Sequence, residues 1–220
     1  IVKRIKDNKW GVSADGKTLT GPEGVTVDLS ACPAGGSETE GITDTEIKIG
    51  QTMPYSGPAS AYGTVGKASA AYFEKINAEG GINGRKINFI TYDDGYAPPK
   101  TVEMVRKLVE EDKVLFVFNT LGTPPNTAIQ KYLNTKKVPQ LFVATGASKW
   151  GKPQEFPWTM GWQPDYATEA AIYAKHILAN QKDAKIGILV QNDDYGKDLL
   201  GGLKRVIRFT DLCVPFMAVL

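Results

Sequence analysis

From residue 46 to residue 144 the hydrophobic positions switch repeatedly between short apolar runs and a helical spacing. Residues 46–50 (EIKIG) form a strand-sized run, and residues 86–92 form a second. Between them Val65, Ala68, Tyr72 and Ile76 recur three or four residues apart, the period of one helix face. Gly80-Gly81 should end that helix, because glycine accepts the left-handed backbone of a helix C-terminus. A second helix is predicted from about Pro99, with Val102, Val105, Leu108 and Val109 on one face and proline in the first turn, where its missing N–H costs nothing. Residues 114–119 read as a third strand. Ile129, Tyr132 and Leu133 mark a third helix that ends before Pro139, and residues 139–144 a fourth strand. Strands separated by helices of this length are βαβ units. They imply a parallel, doubly wound α/β sheet with right-handed crossovers and helices on both faces. Ligands of such sheets sit at the carboxyl ends of the strands.

The pattern changes on both sides of this block. Residues 9–13 and 25–29 alternate apolar and polar positions, with the turn pairs Asp15-Gly16 and Gly21-Pro22 between them, so residues 1–30 read as a small β appendage. Residues 33–41 (PAGGSETEG) read as a polar linker. Residues 153–164 (PQEFPWTMGWQP) carry three prolines and two tryptophans and read as a stiff crossing segment. The alternation then restarts. A helix follows Asp165, a plausible N-cap, with Ala170, Tyr173, Ala174, Ile177 and Leu178 patterned along it. Residues 186–190 form a strand, and residues 196–207 a helix with Leu199, Leu203, Val206 and Ile207 on one face. The expected organisation is an N-terminal extension and linker (1–41), a first lobe (42–152), a crossing segment (153–164) and the start of a second lobe (165–220).

Composition narrows the function classes. Lys and Arg number 26 against 24 Asp and Glu, a balance that gives no basic footprint for nucleic acid. The longest apolar run, residues 114–118, is far short of the roughly 20 residues that span a bilayer. One histidine, His176, excludes any mechanism that needs two. Cys32 and Cys213 have no metal-ligand spacing, and they read either as a disulfide in an oxidising compartment or as two free thiols. No metal and no cofactor is expected.

Three loops fall at predicted strand ends. The first, residues 53–63, has glycines at Gly57 and Gly63, and neither a GxGxxG nor a P-loop spacing appears. The second, residues 119–126, and the third, residues 144–148, combine small residues with hydroxyls. Small residues let a backbone approach a ligand, and N–H groups near a helix start suit a carboxylate. The same residues also suit turns chosen for backbone angle and capping. Asp93-Asp94 and Asp193-Asp194 are carboxylate pairs, but no glycine fingerprint accompanies the first and no third ligand the second. For Asp93-Asp94, capping and loop hydrogen bonding are the expected roles; Asp193-Asp194 could be a general acid/base pair or a metal site, although adjacent side chains rarely point the same way.

Taken together, the "SGP…YG" loop, the "INAEGGINGRKI" helix–turn–strand and the "DD…P.KTVE" passage resemble the opening of Leu/Ile/Val-type periplasmic binding proteins of the type I fold. KVPQLFVATGASKW, FPWTMGW and QNDDYGKD continue the likeness, which covers roughly residues 42–204. The resemblance implies a substrate-binding protein that clamps a small amino acid-like or carboxylate-bearing ligand between two lobes and delivers it to the membrane permease of an ABC importer. It implies no catalysis and a periplasmic or extracytoplasmic setting, with the precursor carrying a signal segment or lipid anchor. It assigns the ligand carboxylate to Leu121, Gly122, Thr123, Ala147 and Ser148, with Thr145 close by. Tyr62 would pack on the ligand side chain, and Tyr195 would reach in from the second lobe. Residues 205–220 do not continue the family pattern, so an incomplete second lobe, weak binding and dimerisation through exposed second-lobe surface are expected. The alternatives are a ligand-sensing regulatory domain of the same fold and a Rossmann-like enzyme.

Overall fold

The computed structural model describes residues 11–13, 18–20, 26–28, 40–182, 186–207 and 212–213. Contacts divide the chain into two compact units, residues 1–39 and 40–220. The first holds a three-stranded antiparallel sheet of β1 (Gly11–Val12), β2 (Thr18–Thr20) and β3 (Thr26–Asp28). The two flanking strands match the predicted appendage. The middle strand was not predicted, because TLT is too short to show a period. Cys32 and nearly all of the tail after residue 207 lie outside the described residues, and so does the question of a disulfide.

The second unit contains a five-stranded parallel sheet in the order β5-β4-β6-β7-β8. Its strands are β4 (Glu46–Met53), β5 (Lys86–Asp93), β6 (Phe116–Phe118), β7 (Gln140–Val143) and β8 (Thr159–Gly161). Helices α1 (Gly63–Ala78), α2 (Pro98–Glu110) and α3 (Thr123–Lys136) connect the first four. Gly80 and Gly81, at φ +109° and +78°, terminate α1, and the Gly81 N–H returns to the Ile76 carbonyl. The segment expected only to cross between lobes contributes β8, a fifth strand of the same sheet. Its prolines flank the strand, at an edge where one side needs no ladder partner. Beyond it lie α4 (Tyr166–Asn180), β9 (Ile186–Gly187), α5 (Asp194–Lys204) and β10 (Leu212–Cys213), the last parallel to β9.

The main core lies between α2, α3 and one face of the sheet. Val105, Leu108, Val109, Val114, Val117, Ile129 and Leu133 are all buried there. The opposite face carries a row of edge-to-face rings running from Phe73 of α1 through Phe89, Phe118 and Phe142 to Trp162. Helices α4 and α5 pack closely enough that a Cβ on Gly202 would stand 2.1 Å from the Ala167 carbonyl oxygen.

Candidate functional site

The order 5-4-6-7-8 reverses its winding between β4 and β6, and the loops that leave the carboxyl ends there converge. Met53 ends β4 fully buried, and the following loop is tied to the next strand by Asp93. The Asp93 carboxylate accepts from the Tyr55 N–H (2.9 Å), the Ser56 N–H (3.1 Å), the Ser56 hydroxyl (2.5 Å) and the Gly95 N–H (3.0 Å), with Lys100 at 3.3 Å. These donors, the Ser56 hydroxyl foremost, hold its pKa well below the usual carboxylate range. Asp94 is fully buried and accepts from the Thr101 hydroxyl and the Tyr96 N–H, both at 2.9 Å. Both aspartates shape loops, as their sequence context led one to expect.

The loops after β6 and β7 meet. Leu121 bridges Ala144, the Gly122 N–H donates to the Ala144 carbonyl (3.3 Å), and the Thr123 and Thr145 hydroxyls lie 2.5 Å apart. Asn126, fully buried, fixes the curve by donating to the Thr120 and Gly122 carbonyls (2.7 and 2.8 Å) while accepting from Gln140 (2.9 Å). Gly122, at φ +96°, is required, because a Cβ there would stand 2.3 Å from the Tyr96 ring. Pro124 and Pro125 in the first turn of α3 remove two of the N–H groups that a helix start would offer an anion. Thr123, Thr145 and Ala147 are buried, and the Ala147 N–H points to the Thr145 hydroxyl at 3.4 Å. Of the donors assigned to a ligand carboxylate, the Gly122 and Ala147 N–H groups are thus engaged within the chain, and one of the Thr123 and Thr145 hydroxyls donates to the other.

Ser148 differs. It is exposed, at the start of a 3-10 turn (Ser148–Gly151), and it already holds a carboxylate. Its N–H donates to one oxygen of Asp198 at 2.7 Å and its hydroxyl to the other at 3.1 Å. Lys149, the next residue, pairs with Asp194 at 3.0 Å. Two open cavities flank the turn. One of about 390 Å³ is bordered by Gln130, Ser148, Lys149, Asp194 and Asp198. One of about 510 Å³ is bordered by Gly146, Ala147, Ser148, Trp150 and Met160.

The third part of the site is aromatic. Tyr195, in the first turn of α5, meets the Tyr166 ring edge-on with centroids 4.8 Å apart. Burial, then neighbouring Tyr166, Glu169 and Tyr62, raises its pKa. Tyr96 is pushed up to about 12, first by burial and then by the nearby Asp193 charge. Tyr62 is 57% exposed, in the 3-10 turn before α1, and acts electrostatically on both. Tyr62 and Tyr195, singled out in the sequence, therefore stand together with Tyr96 and Tyr166, which were not. Tyr96 escaped notice because its neighbours read as a loop. Its left-handed backbone (φ +63°), set by the Asp94 turn, is visible only in three dimensions.

Residues 46–214 match the family described as periplasmic binding protein. The chain belongs to the periplasmic binding protein family. The Leu/Ile/Val-binding protein homolog 3 of Brucella melitensis is 29% identical over 165 residues, covering 74% of this chain and 44% of the relative. The Leu/Ile/Val-binding protein homolog 1 of Brucella abortus is 30% identical over 168 residues, covering 73% and 43%. Among solved structures, a possible leucine/isoleucine/valine-binding protein from Rhodopirellula baltica superimposes with a TM-score of 0.68 at 26% identity, covering 81% of this chain and 49% of that one. A fatty acid ABC transporter substrate-binding protein from Thermomonospora curvata gives 0.69 at 25%, covering 85% and 48%. The chain spans less than half the length of the curated relatives it matches. These relatives are binding proteins and not enzymes. The type I fold is the one expected from the sequence, with β8 added to its sheet.

Proposed function

We propose that this chain forms the carboxylate-holding side of an extracytoplasmic solute-binding protein. Its ligand is a small amino acid-like or carboxylate-bearing molecule, which the whole protein hands to the permease of an ABC importer. The observation that carries the reading is the Ser148 clasp: an exposed backbone N–H and a hydroxyl, at the carboxyl end of a parallel strand, gripping both oxygens of one carboxylate. Charge-assisted bonds of this kind are roughly twice as strong as neutral ones. Tyr62, Tyr96, Tyr166 and Tyr195 supply flat apolar walls with polar rims, suited to a short aliphatic or aromatic side chain. The work done is desolvation and hydrogen bonding, with closure of the flanking elements around the ligand.

The test is a thermal-shift and calorimetric screen of amino acids and small aromatic acids against the 220-residue chain. A saturable response is expected, with an affinity near about 1 mM because only one side of the ligand is held. Ser148→Ala and Tyr195→Ala should each weaken it about tenfold. A ligand that binds equally well to the Ser148→Ala protein would overturn the assignment of its carboxylate to this turn.

A further inference from the structure

The carboxylate at Ser148 belongs to the protein itself, and we propose that Asp198 is a resident competitor that any ligand carboxylate must evict from the clasp. The inference rests on the reading of Ser148 given above and adds the element that sets how readily that site opens. Asp198 lies on α5, one helical turn beyond Asp194, so both carboxylates project from one face of the helix. That face meets two consecutive residues of the turn after β7: Asp194 takes Lys149, and Asp198 takes both donors of Ser148. The spacing of one turn on the helix is matched to a spacing of one residue on the turn.

Competition follows from geometry and charge. The clasp has one N–H and one hydroxyl, and Asp198 uses both at hydrogen-bonding distance. A second carboxylate cannot share them, and approaching would set two like charges a few ångströms apart. The internal group is also tethered, so it competes at a local concentration of at least about 1 mM, which a free ligand has to exceed. Of the other donors assigned to the ligand, the Gly122 and Ala147 N–H groups are already bonded within the chain, and one of the Thr123 and Thr145 hydroxyls donates to the other. Removing Asp198 does not undock the helix, because the Lys149–Asp194 pair remains. Asp198 is therefore a specificity-determining residue: it keeps weak monocarboxylates out and admits a ligand only when further contacts offset its displacement.

The experiment follows the Ser148 amide of the ¹⁵N-labelled full chain by NMR during titration with acetate, a carboxylate with no side chain for the tyrosines. The wild-type amide should stay still. In Asp198→Asn and Asp198→Ala it should move and saturate, with an apparent affinity about tenfold or more above wild type. The asparagine variant keeps the size and helix position of the aspartate, so a folding defect in the alanine variant would leave the comparison intact. Equal response of the amide in all three proteins would overturn the competitor while leaving the clasp in place. No response in any of them would remove the clasp as a carboxylate site, and the proposed function would lose its anchor with it.

Discussion

Asp93 shows how one side chain sets a loop. Three N–H groups and a hydroxyl converge on it, three of the four donors from the β4–α1 connection and one, the Gly95 N–H, from the turn after β5, and no apolar residue could accept from them. The depressed pKa fixes the sign of its pH dependence. The stabilisation is fully present above the unfolded value of about 4 and is lost as pH falls toward the lower folded value. Asp93→Asn should cost about 1–2 kcal/mol in urea denaturation at pH 7, and the gap to wild type should narrow steadily below about pH 4. A gap that stays constant into acid would mean that the carboxylate charge does not hold this loop. Asp93 was legible in the sequence as a loop-bonding residue, because a carboxylate at a strand end without a glycine fingerprint has few other uses. The engagement of Ser148 by Asp198 was not, since fifty residues separate the two and nothing local links them.

Element boundaries followed the periodicity wherever a helix had a clear apolar face. Helix α2 carries Val105, Leu108 and Val109 inward, as the spacing predicted, and starts at Pro98 beside the expected Pro99. Helix α4 has Asp165 as its N-cap, accepting from the Thr168 N–H at 2.9 Å. Strand β8 was missed because prolines around it masked a three-residue edge strand, whose pairing is decided by the neighbour β7 and not by its own pattern. Helix α5 begins earlier than predicted because Asp193, read as half of an acidic pair, is its N-cap and accepts from the Gly196 N–H. Between α4 and α5 the packing depends on backbone approach, not on large side chains: Gly202 faces Ala167, and Ala170 and Ala174 are buried along the same helix. Gly202→Val should therefore drive the pair apart and destabilise the protein by about 2–4 kcal/mol, read as a lowered thermal midpoint. Gly201, with open space around it, should accept alanine with little change and serves as the control.

At the scale of the whole molecule the two faces of the five-stranded sheet are unlike. One is sealed by α2 and α3 over an aliphatic core, while the other ends in Trp162, 67% exposed, at the close of the aromatic row. Trp158 and Met160 beside it are also exposed. An apolar patch of this kind binds hydrophobic dyes. Trp162→Ser should lower 8-anilinonaphthalene-1-sulfonate fluorescence at equal protein concentration while costing no more than about 1 kcal/mol of stability, the worth of one ring contact. Unchanged dye binding would place the accessible apolar surface elsewhere. The fold class was readable because βαβ alternation has few solutions. The uneven cover of its faces was not, because it depends on which helix passes above and which below.

Strand β4, the first of the five-stranded sheet to be made, lies between its neighbours, and only β5 joins it on one side. Strands β6, β7 and β8 then attach to the opposite side in the order in which a ribosome would release them. Each new strand finds its docking edge already exposed, so no earlier pairing has to be undone. Long-range parallel pairing is intrinsically slow, and growth along a single advancing edge lets the sheet assemble at the pace of synthesis.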